Sequence, residues 1–208
     1  MLSCSPAVEP HALAPIVSRG YIYRPVHAIL EEPSVKIAVQ VQLEPSEQPS
    51  AQKVQYRWDA DTDILSAQLS PKVEGKGMSG SVGLEGSDGS WVILDVAAGR
   101  IAGVEIAVWP DVRRMTTLQT PTSIEDMHVV VPARQSQPNI ASVEMNSHLY
   151  AEADADQKTL HFRLGKHTKA RTIRVARDLL LDVDEKSQIS GLWLLNVPPA
   201  PAPLGEEL

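Results

Sequence analysis

One pattern occurs twice in this chain. Asp59-Ala60-Asp61, followed by Ile64-Leu65, returns 95 positions later as Asp154-Ala155-Asp156, followed by Thr159-Leu160. Ile93-Leu94-Asp95-Val96 and Ile101-Ala102-Gly103-Val104 return as Leu180-Leu181-Asp182-Val183 and Ile189-Ser190-Gly191-Leu192, at offsets of 87 and 88. The smaller offset gives the first copy a longer middle loop. A recurring pattern means one supersecondary unit built twice, so the repeat constrains the fold more than any single residue does. It carries no chemistry.

The segments between the repeated signals predict a mainly β fold: two tandem, small antiparallel β-meander or barrel-like units with irregular N- and C-terminal arms. Residues 1–20 read as an irregular arm, 21–115 as the first β unit, 116–138 as a connector, 139–197 as the second β unit and 198–208 as a Pro-rich tail. Val35, Ile37, Val39, Val41 and Leu43 alternate with polar residues, the period of a half-buried strand. In the first unit, Lys53–Trp58, Asp63–Leu69, Ser81–Glu85, Trp91–Val96 and Arg100–Val108 are strand candidates, with Ala97-Ala98-Gly99 as a tight turn. His128–Val131 is expected to be a strand joining one of the two sheets. In the second unit, Ser147–Ala153, Thr159–Leu164, Arg171–Arg177, Leu179–Val183 and Ile189–Leu195 are the candidates. The start of 139–153 reads equally as a strand or a helical turn. Ile93, Ile101, Leu181 and Ile189 are expected to be buried.

Composition narrows the functions open to such a fold. A net charge of −7 and a pI near 5.3 disfavour whole-surface attraction to nucleic acid or an anionic membrane. Cys4 is the only cysteine, which excludes an intrachain disulfide and a multi-cysteine metal site and suits a reducing compartment. Pro6, Pro10 and Pro15 interrupt the first eighteen residues, so no signal peptide is expected, and no apolar run is long enough for a membrane-spanning helix. A cytoplasmic protein, with a peripheral place on a membrane complex as the variant, is the expectation.

The repeated unit resembles a small bacterial β-meander domain family of unknown function. Its members carry a Tyr-Asp-x-x-Ala-Asp-x-Leu-Tyr-Ile-x-Leu stretch, then Gly-Val-Ile-Leu-Asp-x-Asp-x-x-Gly-x-Ile-Val-Gly-Ile-Glu-Ile. The first copy supplies Trp58 to Leu65, Val92-Ile93-Leu94-Asp95 and Gly99 to Ile106; the second supplies Ala153 to Asp156, Leu160 to Leu164 and Leu180 to Asp184. Together these blocks cover about half the chain. The resemblance implies a β-meander without assigned chemistry, sometimes encoded beside toxin-like partners. The Gly99-Arg100-Ile101-Ala102-Gly103 stretch is also similar, more weakly, to the small β-barrel docking domains of reaction-centre H subunits and of a ribosome-maturation factor.

The acids of the repeat invite a metal or catalytic reading, and the spacing argues against both. Asp59, Asp61 and Asp63 have calcium-loop spacing, but Ile64 stands where the loop glycine belongs and Ser70 where its last glutamate belongs. Asp59, Asp61, Asp154 and Asp156 read as turn-stabilising acids, as do Asp95 and Asp182 at equivalent strand ends, each expected to accept backbone hydrogen bonds from the next turn. A catalytic dyad of Asp95 and Asp182 is the sharper alternative. Gly103 and Gly191 point to close packing or a bulge. The six histidines form no ligand cluster, and there is neither a nucleophile elbow nor a phosphate loop. No catalytic residue, metal or cofactor is expected.

One surface feature remains. Arg163, Lys166, His167, Lys169, Arg171, Arg174 and Arg177 gather in a stretch without a single acid. A solvated edge guarded by cations is the plain reading; a docking face for an acidic protein, or for another anionic surface through residues 161–177, is the functional one. The sequence therefore leads to a non-catalytic interaction or scaffold protein, an accessory subunit of a larger protein assembly that binds no specific nucleic acid. A small-molecule or ion-binding module with a site between the copies, and an antitoxin-like partner protein, are the alternatives. Trp58, Trp91, Trp109 and Trp193 are candidate anchors whose exposure the sequence does not reveal.

Overall fold

The structure, a computed structural model, describes residues 39–46, 52–69, 78–132, 149–165 and 169–201, with 141–144 described as backbone. The expected N-terminal arm, the start of the Val35 to Leu43 alternation and most of the C-terminal tail lie outside these residues. The described residues hold fifteen strands and no helix. The protein is mainly β, as the alternation predicts.

Two sheets dominate. The first contains β2 (Gln55–Asp59), β3 (Ile64–Gln68), β4 (Gly80–Glu85), β5 (Trp91–Ala97) and β6 (Arg100–Val108). The second contains β11 (Leu149–Ala153), β12 (Leu160–Leu164), β13 (Ala170–Ala176), β14 (Leu179–Asp184) and β15 (Ile189–Leu194). Their strand orders, β4-β5-β6-β3-β2 and β13-β14-β15-β12-β11, correspond element for element. So do their irregularities. Asp95 lies opposite Gly103 with a bulge before Val96, and Asp182 lies opposite Gly191 with a bulge before Val183.

Short strands extend both sheets. β10 (Ala141–Glu144) runs parallel to β4, which resolves the ambiguous start of 139–153 as a strand. β7 (Val112–Arg114) runs parallel to β11, and β8 (Ile124–Glu125) runs parallel to β13. One stretch of chain thus lines both edges of the second sheet. The His128–Val131 run departs from its expected place. β9 (Met127–Val130) pairs antiparallel with β1 (Gln42–Pro45) in a separate two-stranded sheet. Both edges of the second sheet are already taken, by β7 and β8, so this run has no free edge there to join.

The hairpins explain themselves locally. Ala98 and Gly99 both have positive φ, 49° and 81°, the two-residue turn whose twist suits antiparallel strands. Glycine adopts this without strain and alanine does not. The equivalent turn after β14 is longer; there Asp184 accepts from the backbone N–H of Lys186 at 2.9 Å and of Gln188 at 2.8 Å.

The alternating apolar faces of both sheets merge into one hydrophobic cluster. Leu65, Val82, Leu94, Val104 and Ile106 enter it from the first sheet, and Ala151, Phe162, Ile173, Leu181 and Leu192 from the second. Aromatic contacts bridge the sheets: Trp109 stacks on Trp58 at 5.6 Å and tilts against Phe162 at 5.9 Å. The Tyr56 hydroxyl reaches the carbonyls of Leu195 at 2.8 Å and Asp178 at 3.1 Å, and Trp58 Nε1 donates to the Pro198 carbonyl at 3.0 Å. Ile101, Leu181 and Ile189 are buried as expected. Ile93 is only half-buried, because alternation turns Leu94 and Val92 inward and Ile93 outward.

Candidate functional site

Period two puts polar residues of the second sheet on the face turned away from the core. Leu160, Phe162 and Leu164 of β12 point into the cluster, so His161 and Arg163 point out. Leu181 and Val183 point in, so Asp182 points out. Register aligns Glu152, His161 and Trp193 in one row and Arg163, Gly191, Asp182 and Thr172 in the next.

These side chains form one network. His161 Nε2 lies 3.0 Å from Asp182 Oδ2, and His161 Nδ1 is 3.6 Å from Glu152 Oε2. Asp182 also accepts from Thr172 Oγ1 at 2.8 Å and Trp193 Nε1 at 2.9 Å. The His161 ring stacks on Trp193 at 3.7 Å with planes 7° apart. Arg163 donates to Glu152 at 3.3 Å. Gly191 makes the arrangement possible: a Cβ there would stand 2.9 Å from Asp182 Oδ2, 3.0 Å from the Phe162 carbonyl and 3.2 Å from His161 Nε2.

Burial pushes the Asp182 carboxyl up, but hydrogen bonds from His161 and Thr172, the charge of His161 and the Trp193 N–H together pull it below the ordinary carboxylate range. A depressed folded-state value stabilises the fold at pH above the ordinary range, and this contribution disappears as the pH falls through it.

The first sheet carries a plainer counterpart. Ser81 Oγ donates to Asp95 at 2.9 Å, as Thr172 does to Asp182. Gln68 Nε2 reaches Asp95 at 3.4 Å across Gly103, where a Cβ would meet the Gln68 amide at 2.8 Å. Asp95 and Asp182 thus bond side chains rather than capping turns. Both sit two residues before the position that reaches the turn; in the second sheet Asp184 is the acid that accepts from the turn amides. Asp95 and Asp182 each lie on the face turned away from the core, so the structure does not bring them together as a dyad or a site between the copies.

At the other turns, Asp59 accepts from the Asp61 N–H at 3.0 Å. Asp154 accepts from the Lys158 N–H at 2.8 Å and the Thr159 N–H at 3.1 Å. Asp61 and Asp156 are exposed in the same turns.

The basic run is not a row of free cations. Arg163 pairs with Glu152, Arg174 Nε with Asp126 Oδ1 at 2.9 Å, and Arg171 makes a two-pronged pair with Glu125. The Arg171 hydrogen bond holds the Glu125 carboxyl below its usual range. Lys169 and Arg177 are exposed. Lys166 and His167 lie outside the described residues.

Sequence reasoning missed Glu152, Thr172 and Trp193 as partners of Asp182 and His161, and Glu125 and Asp126 as partners of the arginines. Alternation in β11, β12 and β13 carried a signal for Glu152 and Thr172, since polar residues at every second position share a face, whereas Trp193 stands in the apolar run Leu192–Leu194. Nothing local announces the second, which lies 46 to 48 positions away.

Chemically the network is closed on itself. Both ring nitrogens of His161 face carboxylates, and the Thr172 hydroxyl donates to the Asp182 carboxylate, which already accepts from Trp193 and contacts His161. Among the described residues no group of three metal-suited side chains is assembled, and no helix is long and apolar enough to cross a membrane. Fold and site define an all-β protein with a saturated polar cluster on one sheet and an open face on the other. No family model matches the chain, and no curated protein is similar to it.

Proposed function

We propose that this protein is a non-catalytic interaction module, a cytoplasmic accessory subunit that docks onto a larger protein assembly, built from two copies of one β-meander unit whose outer faces have diverged. The observation that carries the reading is the difference between those faces at equivalent positions. In the second sheet His161, Thr172, Leu180 and Trp193 are all buried. Their counterparts by register, Ser66, Ser81, Ile93 and Glu105, are half-buried or exposed. On this open face Trp91 is 45% exposed, beside its cross-strand neighbour Val108 at 46%. The indole lies over Gly83, where a Cβ would come within 2.8 Å of its Nε1. In a chain with only 4% aromatic residues, a seated yet exposed tryptophan next to valine has the composition of an interface anchor. The paired arginines of β13 leave Lys169 and Arg177 as rim charges around other contacts.

Co-purification with the tagged full-length chain tests this. Trp91→Ala should weaken partner capture by about 2 kcal/mol or more, roughly thirtyfold, as for an interface hot spot. Its melting temperature should stay close to that of the parent. Arg171→Glu with Arg174→Glu should lower the melting temperature instead, because each new carboxylate would face Glu125 or Asp126. Unchanged capture by Trp91→Ala would overturn the proposal.

A further inference from the structure

The two sheets match strand for strand except at one edge. Among the described residues the second sheet has seven strands and the first has six. At one end the additions correspond: β10 lies parallel on β4 as β8 lies parallel on β13. At the other end β7 lies parallel on β11, whereas among the described residues no strand lies on its counterpart β2.

We propose that the β2 edge is a strand-addition site, and that its occupant is an extended acidic segment of a partner protein running parallel to β2, in the place β7 takes on β11. This rests on the interaction-module reading and adds a second contact to it. Register fixes the contact. Tyr56, Arg57 and Trp58 hold the positions of Ala151, Glu152 and Ala153, which β7 meets with Val112, Arg113 and Arg114. Main-chain hydrogen bonding supplies affinity in such additions, and side chains at alternate positions supply selectivity.

Charge selects the occupant. On the second sheet the central pair is Glu152 opposite Arg113. On β2 the central residue is Arg57, which is exposed and forms no ion pair among the described residues. An incoming strand therefore needs Asp or Glu where β7 has arginine. A second copy pairing β2 to β2 antiparallel about Arg57 would set that arginine against its own copy, and like charges directly opposite are destabilising. Tyr56 and Trp58 are tied down from the other side by their bonds to Leu195, Asp178 and Pro198, so the edge is held rigid for a partner.

The test uses the purified full-length protein and two labelled peptides. One has the sequence of residues 110–116; the other is identical except that glutamate replaces the arginine of position 113. Binding is followed by fluorescence anisotropy, and amide exchange locates it. The glutamate peptide should bind at least about tenfold more tightly than the arginine peptide, one decade being about 1.4 kcal/mol. It should slow exchange at residues 55–59, and Arg57→Glu should invert the preference while Trp91→Ala leaves it unchanged. Equal binding of both peptides, no binding up to millimolar concentration, protection elsewhere than β2, or a β2-mediated dimer would each overturn the proposal. If these peptides fail while Trp91-dependent capture persists, the edge assignment alone falls. If capture is indifferent to Trp91 and the peptides still discriminate, only the open-face reading falls.

Discussion

At the scale of single residues, two glycines at equivalent positions do different work. Gly191 leaves room for His161 to reach Asp182, and part of what a Cβ would meet is the backbone carbonyl of Phe162. Gly103 faces only the Gln68 amide, the end of an exposed flexible side chain. Neither residue has positive φ, so a substitution is judged by space rather than by strain. Gly191→Ala should destabilise by about 1–3 kcal/mol, the usual cost of overpacking a tight site. Gly103→Ala should be near neutral, because Gln68 can swing away and alanine is less costly than glycine to order in a strand. Denaturant titration of both variants checks this; equal losses would mean the His161–Asp182 contact does not depend on the missing side chain. The repeat showed these two positions to be equivalent. It could not show that the side chains crossing them differ, because Gln68 pairs directly with Gly103 whereas His161 reaches Gly191 on the diagonal.

At the scale of elements, long strands were legible and short ones were not. β5, β6, β12, β14 and β15 are apolar-rich runs bounded by turn signals, so their existence followed from the sequence. The facing of β5 did not, since Ile93 and Leu94 are both apolar; register decides that Leu94, at 0% exposure, is the core residue. Leu94→Ala and Leu181→Ala should each cost roughly 2–5 kcal/mol from lost transfer energy and a cavity, with Ile93→Ala clearly below that. Thermal or urea unfolding of the three variants orders them, and an Ile93 loss as large as that of Leu94 would show the strand face to be inverted. β7, β8 and β10 had no signature because two to four residues are too few to show a period. Their pairing comes from the edges that receive them. The same holds for the basic run. Its charges were visible, but their partners Glu125 and Asp126 stand in a connector whose path only the folded chain determines.

At the scale of the whole molecule, the repeat predicts two tandem units, and the contacts argue for one cooperative body. The inward faces of both sheets contribute to a single hydrophobic cluster. β10, from the stretch read as the second unit, completes the first sheet, while β7, from the stretch read as the first, completes the second. Tyr56 and Trp58 of the first sheet are bonded to carbonyls that follow β13 and β15. Removing either unit would expose one side of the shared core, leave a sheet edge without its partner strand and orphan those hydrogen bonds. A sixty-residue remnant buries too little apolar surface for more than marginal stability. Equilibrium unfolding of the full chain in urea should therefore follow one transition, with tryptophan fluorescence and circular dichroism coinciding, because Trp58, Trp91 and Trp109 lie in or beside the first sheet and Trp193 in the second. A fragment of residues 139–208 should show no cooperative transition of its own. Two resolved transitions in the full chain, or a fragment that melts cooperatively, would mean that the copies are independent domains and that the exchanged strands contribute little.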